Sequence, residues 1–228
     1  MASIGRGTTP GMGGRSLSLV VFAVMAVGCG PRLDAQDYPI AATYDRWVVQ
    51  GDRVSVLASA AGVDENVRAV TQYQGQPPRI SVELENDTLT IDSNCASRPS
   101  CSVEIFASLL PDADGALVAD LGTLSIGSDL TGRFEAEIGD GGVTGAAVSA
   151  ASVEALLEAG DVGLTFVERP ERVDVETGDG QLIVEVPAGD YRLDLSEGAT
   201  VEGGIVDDVG ADASIRMIGA GEVVLRGL

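Results

Sequence analysis

The sequence predicts an all-β protein, a β-solenoid built from strand–turn–strand repeats of about 20 residues behind an N-terminal β cap. Three observations lead there. A glycine-centred turn recurs through the second half, as Gly139-Asp140-Gly141, Gly160-Asp161-Val162, Gly178-Asp179-Gly180, Glu197-Gly198-Ala199 and Gly219-Ala220-Gly221. Before each turn, apolar and polar residues alternate with a period of two. The apolar content is 45%, yet aromatics are only 4%, so the palette is Val, Ile, Leu and Ala, which suits thin β layers.

The chain opens with an export segment. Arg6 and Arg15 form a positive n-region with no acid before Asp34, and Leu17 to Val27 is an apolar run broken only by Ser18. That run is too short to span a bilayer and reads as a signal h-region. Ala26-Val27-Gly28-Cys29 looks like a lipobox, in which the Cys29 thiol receives lipid and residues 1–28 are removed. Gly30 after the cysteine resembles lipoproteins sent to an outer membrane, so the expected location is the bacterial cell envelope. The expected organisation is a signal peptide over 1–28, a lipidated tether over 29–37, an N-terminal β region over 38–120, and the repetitive domain over 121–228.

Charge excludes several functions. The net charge is −21, and losing Arg6 and Arg15 with the signal takes it to −23. Such a surface repels nucleic acid and anionic headgroups, so the expected partners are the membrane, through Cys29 alone, and an envelope protein or polysaccharide. All 14 cations are arginine, and histidine is absent. Without histidine there is no Ser-His-Asp triad, Cys-His dyad or HExxH site, and without lysine no P-loop or Schiff base. No cofactor is implied.

With Cys29 assigned to lipid, Cys95 and Cys101 remain, and in an exported chain two such close thiols form a disulfide. A loop this small gains about 2 kcal/mol from closure, so it staples a turn and not the fold. Ahead of it, Tyr44 to Val70 reads as short strands broken by Gly51 and Gly62, and Arg79 to Asp92 as two strands around Glu85-Asn86-Asp87. After it come a strand over Ser102 to Leu109 and a turn at Pro111 to Gly115.

In the repetitive half, alignment on Gly139, Gly160, Gly178, Gly198 and Gly219 gives steps of 21, 18, 20 and 21. The alternating apolar residues are Phe134, Ala136, Ile138; Val153, Ala155, Leu157; Val173, Val175; Leu193, Leu195; and Ile215, Met217. Four residues beyond the turn glycine lie Val143, Leu164, Leu182 and Val223, while the unit at Gly198 has Glu202 there with Val201 beside it. No unit alone can bury this face, whereas stacked units can, and eight to ten coils at about 4.8 Å each make a rod about 40 to 50 Å long. Ala146 to Glu158 is Ala-rich enough for a helix, and only the repeat register favours a strand there. Tyr38, Tyr44, Trp47 and Tyr73 are expected either to cap the first coil or to form a binding patch for a partner or glycan.

The stretch from Val173 to Leu195, with Gly178-Asp179-Gly180 and Pro187-Ala-Gly-Asp-Tyr191, resembles the putative adhesin family of bacterial cell-envelope proteins, a domain of unknown function. The likeness is clearest over 121–228 and extends back to about residue 44. It implies a β-solenoid on an envelope protein and carries over no catalytic residues.

The acidic residues bear on two other chemistries. Asp140, Asp161, Asp179, Asp207, Asp208 and Asp212 offer hard oxygen ligands, but they match neither the calcium nonapeptide nor an EF-hand, so plain turns and a solvated acidic face are expected, with no metal site. A carbohydrate-active enzyme needs two carboxylates at suitable spacing, which 35 acids supply by chance, and the repeats carry few aromatic platforms. The expected function is therefore a non-catalytic adhesive or structural surface, with a divalent-cation-dependent or glycan-binding module as the alternative. Cys29→Ser is expected to move the protein from the membrane pellet to the soluble fraction and to remove the lipid mass from its N-terminal peptide; mass spectrometry checks both.

Overall fold

In the computed structural model, residues 30–40, 43–61, 65–95 and 100–228 are described, so Cys29 and the signal segment lie outside the described residues. The described residues form an all-β protein with no helix, in one open mixed sheet of 16 strands. Several strands are long and serve two ladders. β2 (Arg46–Ala60), β7 (Asp114–Ile126), β8 (Arg133–Val148) and β9 (Ser152–Phe166) lie side by side in parallel. Beyond β9, each strand is replaced by two shorter ones. β10 (Arg172–Thr177) continues the first ladder, and β11 (Leu182–Val186) continues the second.

Period-two alternation decides what is buried. In the first ladder Leu89, Trp47, Gly115, Phe134, Val153, Val173 and Ile215 stand opposite one another in a single inward row. In the second, Val143 faces Val162, which faces Leu182, which faces Val223. These residues join one buried cluster, so both ladders share a core. Gly115 leaves room for the Trp47 indole, which packs tilted against Phe134 at 6.1 Å between ring centroids. The alternating residues named from the sequence are buried, apart from Leu193 and Leu195, which pack half-buried on the cluster.

The glycines work at the bend between the two ladders. Gly122 stands opposite Gly141, and Gly141 opposite Gly160. A Cβ on Gly141 would collide with the Gly122 carbonyl, one on Gly160 with that of Gly141, one on Gly180 with that of Gly160, and one on Gly221 with that of Gly180. Gly160 has φ of +135°, which side chains of L-residues rarely adopt. The pairing corrects the sequence alignment, which matched Gly139 with Gly160 and so misplaced the register by two residues. Gly139-Asp140-Gly141 and Gly160-Asp161-Val162 are bends inside the long strands β8 and β9, whereas Gly178-Asp179-Gly180 separates β10 from β11 as the sequence predicts.

Other expectations are also revised. Most of the 29–37 segment read as a tether belongs to the sheet: Arg32–Pro39 forms β1, paired antiparallel with β3 (Asn66–Tyr73) from Arg32 opposite Tyr73 to Pro39 opposite Asn66. Gly51 does not break a strand: β2 runs through it, and the missing side chain admits Ser93 of β5 (Thr88–Asn94). Gly62 lies outside the described residues. Ala146 to Glu158 holds the end of β8 and the start of β9, with a register shift between Gly145 and Val148 and Ala147 at a φ of 61°. That bulge takes up the extra residues between the two aligned stretches of β8 and β9. The boundary drawn at 120/121 falls inside β7.

Strand order departs from chain order at both ends. β2 sits between β7 and the pair β5 and β6 (Ser102–Leu109), which are covered by antiparallel β4 (Arg79–Glu85), β3 and β1. At the other end β15 (Ser214–Gly219) lies between β10 and β12 (Gly189–Leu195), and β16 (Val223–Gly227) between β11 and β13 (Thr200–Glu202). The short β14 (Ile205–Asp207) closes this end against β12. Gly160→Ala is expected to destabilise the protein by about 2–4 kcal/mol through strained φ and the clash with Gly141, whereas Gly163→Ala, with nothing within 4 Å of its Cβ, is expected to be nearly neutral; urea unfolding of both variants checks this.

Candidate functional site

The outward face of the first ladder follows from the same alternation. Asp92, Gln50, Val118, Glu137, Leu156, Glu176 and Ile218 form one cross-strand row, each paired in register with the next. Where the strands bend, this row borders a trough of about 1490 Å³ whose walls carry Asp52, Asp120 and Glu158. A shallower hollow of about 450 Å³ shares Val118, Glu137, Leu156 and Glu176 and extends the trough along the sheet. Val118 is 44% exposed and Leu156 51%, so the floor is apolar between carboxylates. Gln36, Ser81, Asn94 and Arg79 line one end.

The next outward row shows a different electrostatic solution. Glu135 faces Glu154, and Glu154 faces Asp174, a run of like charges on adjacent strands. Arginines neutralise it: Arg46 lies 2.8 Å from Glu135, Arg172 lies 3.3 Å from Glu154 and 2.6 Å from Asp174, and Arg216 lies 2.9 Å from both Asp174 and Glu176. Burial alone would raise the Asp174 carboxyl, but hydrogen bonds from Arg172 and Arg216 outweigh it and hold the group below its ordinary value. Hydrogen bonds to Asp174 correspondingly raise both guanidiniums. Among the described residues no arginine pairs with Asp92, Asp120, Glu137 or Glu158. The trough therefore keeps open carboxylates beside an ion-paired row.

Cys95 and Cys101 are bonded to each other and buried at the start of the strand into β6. Tyr44, Trp47 and Tyr73 are buried, and Tyr38 is half-buried against the core. Tyr44 accepts a hydrogen bond from the Leu110 backbone N–H at 3.2 Å, and its burial raises the phenol. These rings hold the first strands together and do not converge on one exposed surface. Asp161 accepts from the Gln181 N–H at 2.8 Å, Asp207 from Leu193 at 3.1 Å and Asp208 from Gly210 at 2.8 Å, so these turn aspartates hold backbone. Among the described residues no group of three His, Cys, Asp or Glu side chains could hold a metal ion, and no helix is long and apolar enough to cross a membrane.

The trough escaped the sequence analysis. Its signature was Leu156, an apolar residue out of phase with Val153, Ala155 and Leu157, flanked in register by Glu137 and Glu176.

No family model matches the chain, and no curated protein matches it. Solved structures similar to it include a putative cell adhesion protein from Clostridium sporogenes, with a TM-score of 0.43 at 13% identity over 86% of this chain and 98% of the other. A putative adhesin from Bacteroides fragilis has a TM-score of 0.37 at 12% identity over 86% and 97%. A putative lipid binding protein from Parabacteroides distasonis has a TM-score of 0.37 at 10% identity over 86% and 96%.

Because the Asp174 carboxyl is depressed, its ion pairs contribute fully above the ordinary aspartate value of 3.8 and are lost as pH falls below it. Asp174→Asn is expected to cost about 1–2 kcal/mol at neutral pH, with the difference from the native chain narrowing below about pH 4; unfolding curves across that range check the sign.

Proposed function

We propose that this chain is an exported, lipid-anchored cell-envelope protein whose parallel strands wind as a β-solenoid and present the acidic trough as a non-catalytic adhesive or structural surface. The observation that carries the reading is the trough itself: Asp92, Asp120, Glu137 and Glu158, without arginine partners among the described residues, with Val118 and Leu156 exposed between them. Asp120, Glu137 and Glu158 stand on the adjacent strands β7, β8 and β9, about 4.8 Å from one strand to the next, and Asp92 stands on β5, beyond the intervening β2. An extended partner lying across the strands meets acid and apolar surface in alternation, a pattern that suits cationic, partly apolar envelope material.

The arrangement of the remaining acids supports a scaffold role. Glu135, Glu154 and Asp174 are consumed by arginines that bind strands together. Parallel register in the middle of the sheet supports the solenoid: Ser125 and Thr144 hydroxyls meet at 3.1 Å across 19 residues, and Thr165 donates to Glu185 at 2.9 Å across 20. A glycan-binding reading of the same trough is favoured by the amides and hydroxyl at its end, Gln36, Gln50, Asn94 and Ser81.

The test pairs location with charge. Protease added to intact cells is expected to cleave the 121–228 region, and Glu137→Arg with Glu158→Arg is expected to abolish attachment to envelope or matrix material while circular dichroism stays native. Attachment that survives both reversals overturns the trough as the working surface, and protection in intact cells overturns the adhesive role.

A further inference from the structure

The last two strands sit where the chain order does not put them. From β11 the backbone passes Pro187 and Ala188 into β12, stepping over one strand position, about 10 Å at ordinary strand spacing. This is the Pro187-to-Tyr191 segment noted in the sequence. It is braced: Tyr191 is buried and donates its hydroxyl to the Pro187 carbonyl at 2.8 Å, while Arg169 lies 4.9 Å over the ring and reaches the Asp190 carbonyl. The skipped position is filled later, by β15 and β16.

Charge matches that placement. Arg216 of β15 stands in register between Asp174 of β10 and Asp194 of β12, at 2.9 and 3.6 Å. Arg226 of β16 stands between Glu185 of β11 and Glu202 of β13, at 3.5 and 3.3 Å. If β12 and β13 instead took the skipped position, the same registers would set Asp174 against Asp194 and Glu185 against Glu202, like charges directly opposite on neighbouring strands, which destabilise a pair. The chain-order arrangement is thus opposed at two points, and the inserted arrangement favoured at the same two.

Among the described residues, β12, β13 and β14 pair with the rest of the sheet only through β15 and β16. We propose that residues 189–228 form one block, latched to the edge of β10 and β11 by Arg216 and Arg226, and that this edge is a docking surface for the same block of a second copy of the chain. The partner is specified by fit: the edge presents Val173, Val175, Leu182 and Val184 inward and Asp174 and Glu185 outward, and the block meets them with Ile215, Met217, Val223, Leu225, Arg216 and Arg226 in register. A second copy supplies that set identically, through the same connector.

The experiment uses the full chain. Glu176 faces Ile218 across the latch. Copies carrying Glu176→Cys are mixed with copies carrying Ile218→Cys, passed through mild urea and back, and bridged with a short thiol crosslinker. A heterodimer linked through those two positions is expected, falling about tenfold when Arg216→Glu and Arg226→Glu are added. In parallel, hydrogen exchange of Asp174→Asn with Glu185→Gln is expected to rise over 189–207 and 214–228 together, although neither change touches β12, β13 or β14. Exchange that rises only over 214–228 overturns the block, and absence of the specific crosslink overturns the docking surface.

Discussion

Everything in this structure depends on how closely the backbones approach at the bend. Gly122, Gly141, Gly160, Gly180 and Gly221 stack so that each backbone presses where a neighbour's side chain would begin. The Gly160 N–H donates to the Asp179 carbonyl at 2.6 Å, and the buried Thr177 hydroxyl lies 3.0 Å from the Gly160 carbonyl. With the column closed, backbone polar groups at the bend are satisfied inside the molecule, as buried peptide groups require. Both ladders can then turn their apolar faces onto one core. The outward bend leaves the trough, so the candidate site is a consequence of the same close contact.

Electrostatics distributes roles over this scaffold. A chain with 35 acids and 14 arginines cannot neutralise its surface, and parallel in-register strands place like charges side by side. The arginines are spent where strands need it: Arg46 and Arg172 on the row of Glu135, Glu154 and Asp174, Arg216 and Arg226 at the inserted strands. Among the described residues, Asp92, Asp120, Glu137 and Glu158 of the trough receive none, and their open charge favours solubility and discourages indiscriminate pairing between molecules. Each exposed pair is worth little alone. Arg216, shared among Asp174, Glu176 and Asp194, acts as a network that discriminates one strand neighbour from another.

Much of the fold was legible in the sequence because strand alternation and glycine spacing are local properties. Phe134, Ala136 and Ile138 announce a buried face, and Asn86-Asp87 announces the hairpin that the structure forms with both residues at positive φ. The Cys95–Cys101 bond was likewise legible from the close spacing of two thiols in a chain read as exported. Strand order was not legible: nothing in the spacing of Arg216 tells that Asp174 and Asp194 flank it, since that choice is made by charge across strands distant in sequence. The rings of Tyr44, Trp47 and Tyr73 were ambiguous because an aromatic cluster reads the same way whether it packs inward or faces a partner. The trough was hidden because its members come from separate strands, and only Leu156 breaks the local pattern.

The account rests on one register, the row that runs Val118, Glu137, Leu156, Glu176 across four strands. Backbone NMR of the folded chain measures it directly. Cross-strand contacts between amide and α protons that link these four residues in sequence, in the spacing of parallel strands, are what the account predicts. Contacts that pair β8 with β9 in antiparallel fashion, or that join Glu137 to a residue two places from Leu156, would contradict it, dissolving the glycine column and the trough together.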